Sequence, residues 1–300
     1  MSDTEATAAG PIDPGSTEPG PTEPGPTNAG AGPAAPAGDI VNVDGVEMRF
    51  AGLRVLNDIQ LQIPAGSSVA VVGPNGSGKT TLLNIISGIY RPVAGRVHVV
   101  GRDVTGYRPH RIAHLGVGRT FQHIEVPKEL TVLRVAMLGR HTRMKSGVLS
   151  YGLGIPHFAG RERANRQVAL EALRLVGVDH LRHHRVGDLP YGLAKRVDLA
   201  RALAAEPRLL LLDEPAAGLN DRERDALLEL LLQVKKEREL TLVVVEHDMS
   251  FIAELCERVV VLVSGSKIYD GGSAAMHHDA AVVEALLGTT APAEPEPQAG

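Results

Sequence analysis

The stretch Gly73-Pro74-Asn75-Gly76-Ser77-Gly78-Lys79-Thr80-Thr81 carries residue types that hold phosphate. Its spacing fits G-x-x-x-x-G-K-[ST]. The apolar run Ser68–Val72 precedes it and Leu82–Ile86 follows, so the order reads buried strand, glycine-rich turn, amphipathic helix. Glycines at 73, 76 and 78 let the backbone turn its N–H groups inward with no Cβ in the way. Those groups and the first helical turn can then face an anion. Lys79 adds a point charge near the β- and γ-phosphates, and the Thr80 hydroxyl is placed to ligate Mg2+. These residues predict a nucleoside triphosphate site.

A second group with chemical capacity is Leu209-Leu210-Leu211-Leu212-Asp213-Glu214-Pro215. Four leucines bounded by polar residues suit a strand buried on both faces of a parallel sheet. Such a strand delivers carboxylates at its C-terminal end, where α/β sheets bind ligands. Asp213 can hold Mg2+, directly or through water. Glu214 can act as general base toward the attacking water, an effect of about 10²–10⁴-fold. A further apolar run, Thr241–Val245, ends in Glu246-His247-Asp248. His247 there can contact the γ-phosphate; without its neighbours it reads as an ordinary surface histidine.

The rest of the chain must position these groups. The whole chain has 300 residues, 43% hydrophobic and 3% aromatic, enough for a sizeable core. Residues 1–38 contain eight of the 20 prolines and the repeat STEPG-PTEPG-PTNAG. Such a segment offers little apolar surface to offset its ordering entropy, and it is expected to be a disordered tail, as are residues 289–300. It lacks the basic and apolar regions of a secretory signal. No run approaches the roughly 18 apolar residues of a membrane span. Seven of the 35 acidic residues lie in the two tails, leaving 28 against 31 basic residues in the body. That near-neutral balance argues against a nucleic-acid partner. A lone cysteine, Cys256, excludes an internal disulfide and suits a reducing compartment.

Residues 40–72 predict short strands, from the alternation of Val41, Val43, Val46, Met48 and Phe50, then of Ile59, Leu61 and Ile63. Phe50 closes the first run beside a loop. An exposed ring there could stack on adenine; the alternative is a phenylalanine at the edge of the core. Val93–Val104 predicts a hairpin. Gln122, within RTFQH (119–123), reads by itself as a solvated loop amide. Ala164, Val168, Ala172 and Val176 recur at helical spacing over 161–176, with Gly177 as the stop.

Taken together, these motifs resemble the ATP-binding subunits of ABC transporters, over about Ile40 to Gly288. Gly73–Thr80 matches the Walker A loop, Gln122 the Q-loop, Asp213 and Glu214 Walker B and the catalytic glutamate. Ala216–Asn220 matches the D-loop, His247 the switch histidine and Phe50 the adenine-stacking position. The signature, usually close to LSGGQ, stands here as Leu189-Pro190-Tyr191-Gly192-Leu193. It lacks the usual serine, yet Pro190 suits a helix start, so γ-phosphate contact is expected from the backbone around Tyr191 and Gly192. RTFQH, LPYG (189–192), DEPAAGLN (213–220) and EHDM (246–249) are most similar to the branched-chain amino acid importers, and importers of urea or amides and lipid-export ATPases share several of these strings.

The resemblance implies a P-loop NTPase domain over 39–288: a parallel-sheet core, an antiparallel β subdomain and a helical subdomain inserted at about 123–190. It implies an ATP hydrolase using Mg2+ that powers transport from the cytoplasmic face of the membrane. Glu214, His247 and Gln122 would be catalytic. Thr80, Gln122 and Asp213 would hold the metal. Phe50, Gly73–Thr81, Tyr191, Gly192 and Asn220 would contact nucleotide. The implied partners are a second ATP-binding subunit, closing a site shared between two chains, and transmembrane permease subunits. A soluble, non-transport ABC ATPase is the reading from another class, and the near-neutral body and the single phosphate loop count against it.

Overall fold

The computed structural model describes residues 38–120, 127–143, 157–276, 278–279 and 282–284. All of them belong to one compact unit, and the tails expected over 1–38 and 289–300 lie, apart from Gly38, outside the described residues. In chain order the strands and helices are β1 (Asp39–Phe50), β2 (Leu53–Pro64), β3 (Ser68–Val72), α1 (Lys79–Ile86), β4 (Ala94–Val99), β5 (Arg102–Asp103), α2 (Pro109–His114) and β6 (Val117–Arg119). There follow α3 (Val132–Leu138), α4 (His157–Leu175), α5 (Tyr191–Ala204), β7 (Leu209–Asp213), α6 (Asp221–Arg238), β8 (Thr241–Val245), α7 (Met249–Leu255), β9 (Arg258–Val263), β10 (Ser266–Gly272) and α8 (Ser273–Met276).

Two sheets organise these elements. The larger has the order β10-β9-β3-β8-β7-β6, parallel throughout except for the antiparallel β10–β9 edge. The smaller is antiparallel, in the order β2-β1-β4-β5. β3, β7 and β8 are buried along their whole length, as strands covered on both faces must be. Because side chains alternate across a strand, each serves two cores. Ala70, Leu210, Leu212, Leu242 and Val244 pack with α3, α4, α5, α6 and α7. Val69, Val71, Leu209, Leu211, Val243 and Val245 pack with α1 and the antiparallel sheet. Each fully buried leucine contributes about 1.5–3 kcal/mol, so the LLLL run anchors Asp213 against both layers.

The expected short strands over 40–72 are longer than the pattern suggests: β1 and β2 have 12 residues each. The Asp44-Gly45 step interrupts the alternation, but β1 shifts register between Val43 and Val46, with Gly45 at φ +61°. This bulge restores phase, and Val46 and Met48 stay in the core. The hairpin over 93–104 forms as β4 and β5.

The helical region contains α3, α4 and α5, which pack on one another. On α4 the expected apolar face is offset. Ala164 is exposed and Val168 half-buried, while Ala169, Ala172, Leu173 and Val176 form the buried stripe. Gly177 ends this helix at φ +75°.

Candidate functional site

The phosphate loop joins β3 to α1, as its sequence requires. Gly73 has φ +148°, and a Cβ there would lie 2.0 Å from the Leu262 carbonyl oxygen. Gly78, the N-cap of α1, has φ +103°, and its Cβ would lie 2.5 Å from Leu56 Cδ2. Only glycine satisfies the backbone angles and the space together. No side chain caps α1, so its first amides remain available to an anion. Pro74, Asn75 and Gly76 are exposed, Ser77 and Lys79 buried, Thr80 exposed and Thr81 half-buried. Lys79 Nζ donates to the carbonyls of Gly73 and Pro74, 2.8 Å each. Burial lowers the Lys79 pKa, against the opposing pull of Glu214 and Asp213. Ser77 Oγ is buried with no hydrogen-bond partner among the described residues. A buried hydroxyl without a partner costs free energy, so a loop lined by this orphan, free amides and a desolvated lysine fits an incoming phosphate chain.

β7 brings Asp213 to the loop. Asp213 Oδ1 accepts from Thr80 Oγ1 at 3.4 Å, and Oδ2 faces Arg119 Nη2 at 3.2 Å. Burial raises the Asp213 pKa, and the Arg119 guanidinium works against that rise. The hydroxyl and carboxylate form an all-oxygen set suited to a hard divalent cation such as Mg2+. When bound, that ion would neutralise charge building on the phosphates. Gln122 lies outside the described residues.

Glu214 extends the strand by one residue. Its N–H donates to the Val245 carbonyl at 2.9 Å, and its φ is +49°. A non-glycine residue in that region is strained by about 1–2 kcal/mol, and the strain turns its side chain toward the end of β8. There His247 Nε2 lies 3.1 Å from Glu214 Oε1. The carboxylate is 19% exposed and the imidazole 47%, so both reach solvent-accessible space. Glu246, buried at the end of β8, accepts the N–H groups of Ala216 and His247, 2.8 Å each.

The remaining predicted residues lie elsewhere. Phe50 ends β1, is 38% exposed and packs edge-on against Tyr90 with ring centroids 5.2 Å apart. The start of β2, just past the turn that follows Phe50, borders the phosphate loop, since a Cβ at Gly78 would also approach the Val55 carbonyl at 2.9 Å. Tyr191 and Gly192 open α5, with Pro190 as N-cap just outside the first helical turn. Their close neighbours are Gly218 and Glu223. Asn220 caps α6 and shares a capping box with Glu223. Arg119, Lys195 and Glu246 were not predicted. Arg119 lies inside the RTFQH string and Lys195 one turn beyond Tyr191, but nothing in the spacing reveals their contacts.

The fold and the loop define a P-loop nucleotide-binding ATPase. The family described as ABC transporter matches residues 56–217. The chain is 34% identical to the high-affinity branched-chain amino acid transport ATP-binding protein BraF of Pseudomonas aeruginosa, over 83% of this chain and 98% of BraF. Among solved structures it is similar to the ADP conformation of MJ1267, an ATP-binding cassette of an ABC transporter. The TM-score is 0.73 at 28% identity, covering 84% of this chain and 99% of that one. It is also similar to the dimeric, post-hydrolysis ATP-binding cassette MJ0796 bound to ADP and Pi. There the TM-score is 0.66 at 26% identity, covering 78% and 98%. The chain belongs to the ABC transporter family, as an ATP-binding, ATP-hydrolysing protein. Among the described residues no helix is long and apolar enough to cross a membrane.

Proposed function

We propose that this chain drives a branched-chain amino acid importer from the cytoplasmic face of the cell membrane. The observation that carries the substrate is the likeness to BraF along nearly its whole length. In this reading, triphosphate replaces the Gly73 and Pro74 carbonyls as the acceptors of Lys79, and Gly73–Thr81 wrap the phosphates. Phe50 stacks on the adenine with the ring face that Tyr90 leaves free. Thr80, Asp213 and Gln122 hold Mg2+. Glu214 takes the proton of the attacking water; His247 orients that carboxylate through the 3.1 Å contact and also meets the γ-phosphate. Tyr191, Gly192 and Asn220 face the nucleotide of a second ATP-binding subunit, an arrangement supported by the dimeric MJ0796 cassette. Permease subunits complete the transporter.

The test is co-purification from native membranes, followed by uptake of radiolabelled leucine in cells lacking this chain. Recovery of permease subunits together with loss of leucine uptake is expected. Permease recovery with intact leucine uptake but lost urea, amide or lipid transport would overturn the substrate.

A further inference from the structure

Lys195 lies on α5, one helical turn past Tyr191, and reaches across to the Glu214 turn. Its Nζ donates to three carbonyl oxygens, those of Glu214 at 3.0 Å, Pro215 at 3.0 Å and Ala217 at 2.7 Å. An ammonium has three donors, and all three are used on carbonyls within the four-residue span 214–217. The same Nζ sits 5.3 Å from the Tyr191 ring centroid, within cation–π range. From the other side Glu246 accepts the Ala216 N–H at 2.8 Å. The turn is therefore held between a cation on its carbonyls and an anion on its amide. The Glu214 backbone occupies a left-handed conformation that persists only when its surroundings over-determine it.

We propose that Lys195 is a positioning residue for hydrolysis, tying the start of α5 to the Glu214–Ala217 turn so that a movement of α5 reorients the Glu214 carboxylate. α5 opens with Tyr191 and Gly192, the residues proposed to face the second nucleotide. Lys195 thus links the group serving one site to the group serving the other. This rests on the reading of Glu214 as general base. Burial lowers the Lys195 pKa, with Glu246, Glu214 and Asp198 opposing that shift.

The test uses Lys195→Met and Lys195→Arg in the full chain, assayed at saturating protein concentration, with melting temperature and labelled-ATP affinity measured in parallel. Misplacing a catalytic group by about 1 Å costs roughly 10²-fold in rate. Lys195→Met should lose about that factor in kcat while KM and ATP affinity stay within about twofold, because none of its contacts touches the phosphate loop. Lys195→Arg, which keeps charge and donors, should recover at least tenfold of the loss. In a Glu214→Gln background Lys195→Met should cause no further loss. A parental kcat in Lys195→Met overturns the proposal. So does a loss that Arg fails to rescue, or one that tracks melting temperature and ATP affinity. A further loss in the Glu214→Gln background shows that Lys195 does not act through Glu214. If Glu214→Gln alone keeps the parental rate, the general-base reading fails, whatever the Lys195 variants do.

Discussion

Glu214→Gln separates binding from chemistry, because of how Glu214 is held. The side chain touches His247 and contributes charge near Lys79, and its backbone is held by Val245 and Lys195. Glutamine keeps the shape and leaves an amide oxygen able to accept from His247, so the turn and the phosphate loop should survive. What disappears is the ability to take a proton from water. General-base assistance is worth about 10²–10⁴-fold, which at about 1.36 kcal/mol per decade raises the barrier by about 2.7–5.4 kcal/mol. Lys79 loses one of two nearby negative charges, so ATP affinity should stay equal or change by only a few-fold. The assay is phosphate release at saturating ATP and Mg2+, alongside fluorescent-nucleotide binding to the same preparation. A variant that binds ATP normally and hydrolyses it at the parental rate would refute the assignment.

Lys79→Ala should act at the other step. It removes charge-assisted hydrogen bonds worth about 1.5–3 kcal/mol to the phosphates, so ATP affinity should drop by roughly 10–10²-fold in a binding titration. Cys256 is 2% exposed, and burial pushes its thiol from 9.0 up to about 12. It should resist a thiol-reactive disulfide reagent at pH 8 in the native chain and react once guanidinium unfolds it; rapid native labelling would contradict this. With the folded pKa raised, the protonated thiol adds stability that is fully present below pH 9 and lost as pH climbs toward 12. Replacing Cys256 with alanine should therefore flatten the alkaline decline in melting temperature.

The sequence was most informative where chemistry is contiguous. The phosphate loop, the buried LLLL strand and the carboxylates at its end need only neighbouring residues, and the sheet places them as the pattern requires. Legibility ended where contacts join distant segments. Arg119 meets Asp213 across 94 positions and Lys195 meets Glu214 across 19, and neither pair shares a periodicity that could betray it. Helix α4 shows another limit. Its spacing at 164, 168, 172 and 176 is helical, but the helix twists faster than a strict four-residue repeat, and the stripe that meets α3 and α5 is 169, 172, 173 and 176. At β1 the alternation broke at Gly45 because a bulge, set by pairing to β2 and β4, inserts residues that local pattern cannot count.

The arrangement of Tyr191 and Gly192 leads to a prediction about concentration. Walker A, Asp213, Glu214 and His247 are brought together within one chain, whereas the opening of α5 lies against Gly218 and Glu223. If that helix start serves the nucleotide of a second chain, a lone chain leaves its phosphates facing water. It then loses much of the electrostatic stabilisation that a closed, dry site supplies. Gly192→Asp looks like a direct probe but is compromised: a Cβ at Gly192 would sit 2.4 Å from Glu223 Oε1. Added charge there would also strain the Asn220–Glu223 capping box within the same chain. Dilution avoids that ambiguity. Below the dimer dissociation constant the paired fraction scales with total protein by mass action, so phosphate release per chain should fall about tenfold for each tenfold dilution. It should level off at high concentration, with sedimentation reporting the mass at every point. Adding permease subunits, which hold two chains together, should restore the rate at low concentration. A rate per chain that stays flat into a sample shown by sedimentation to be monomeric would mean that one chain completes its own site, and the shared arrangement would have to be abandoned.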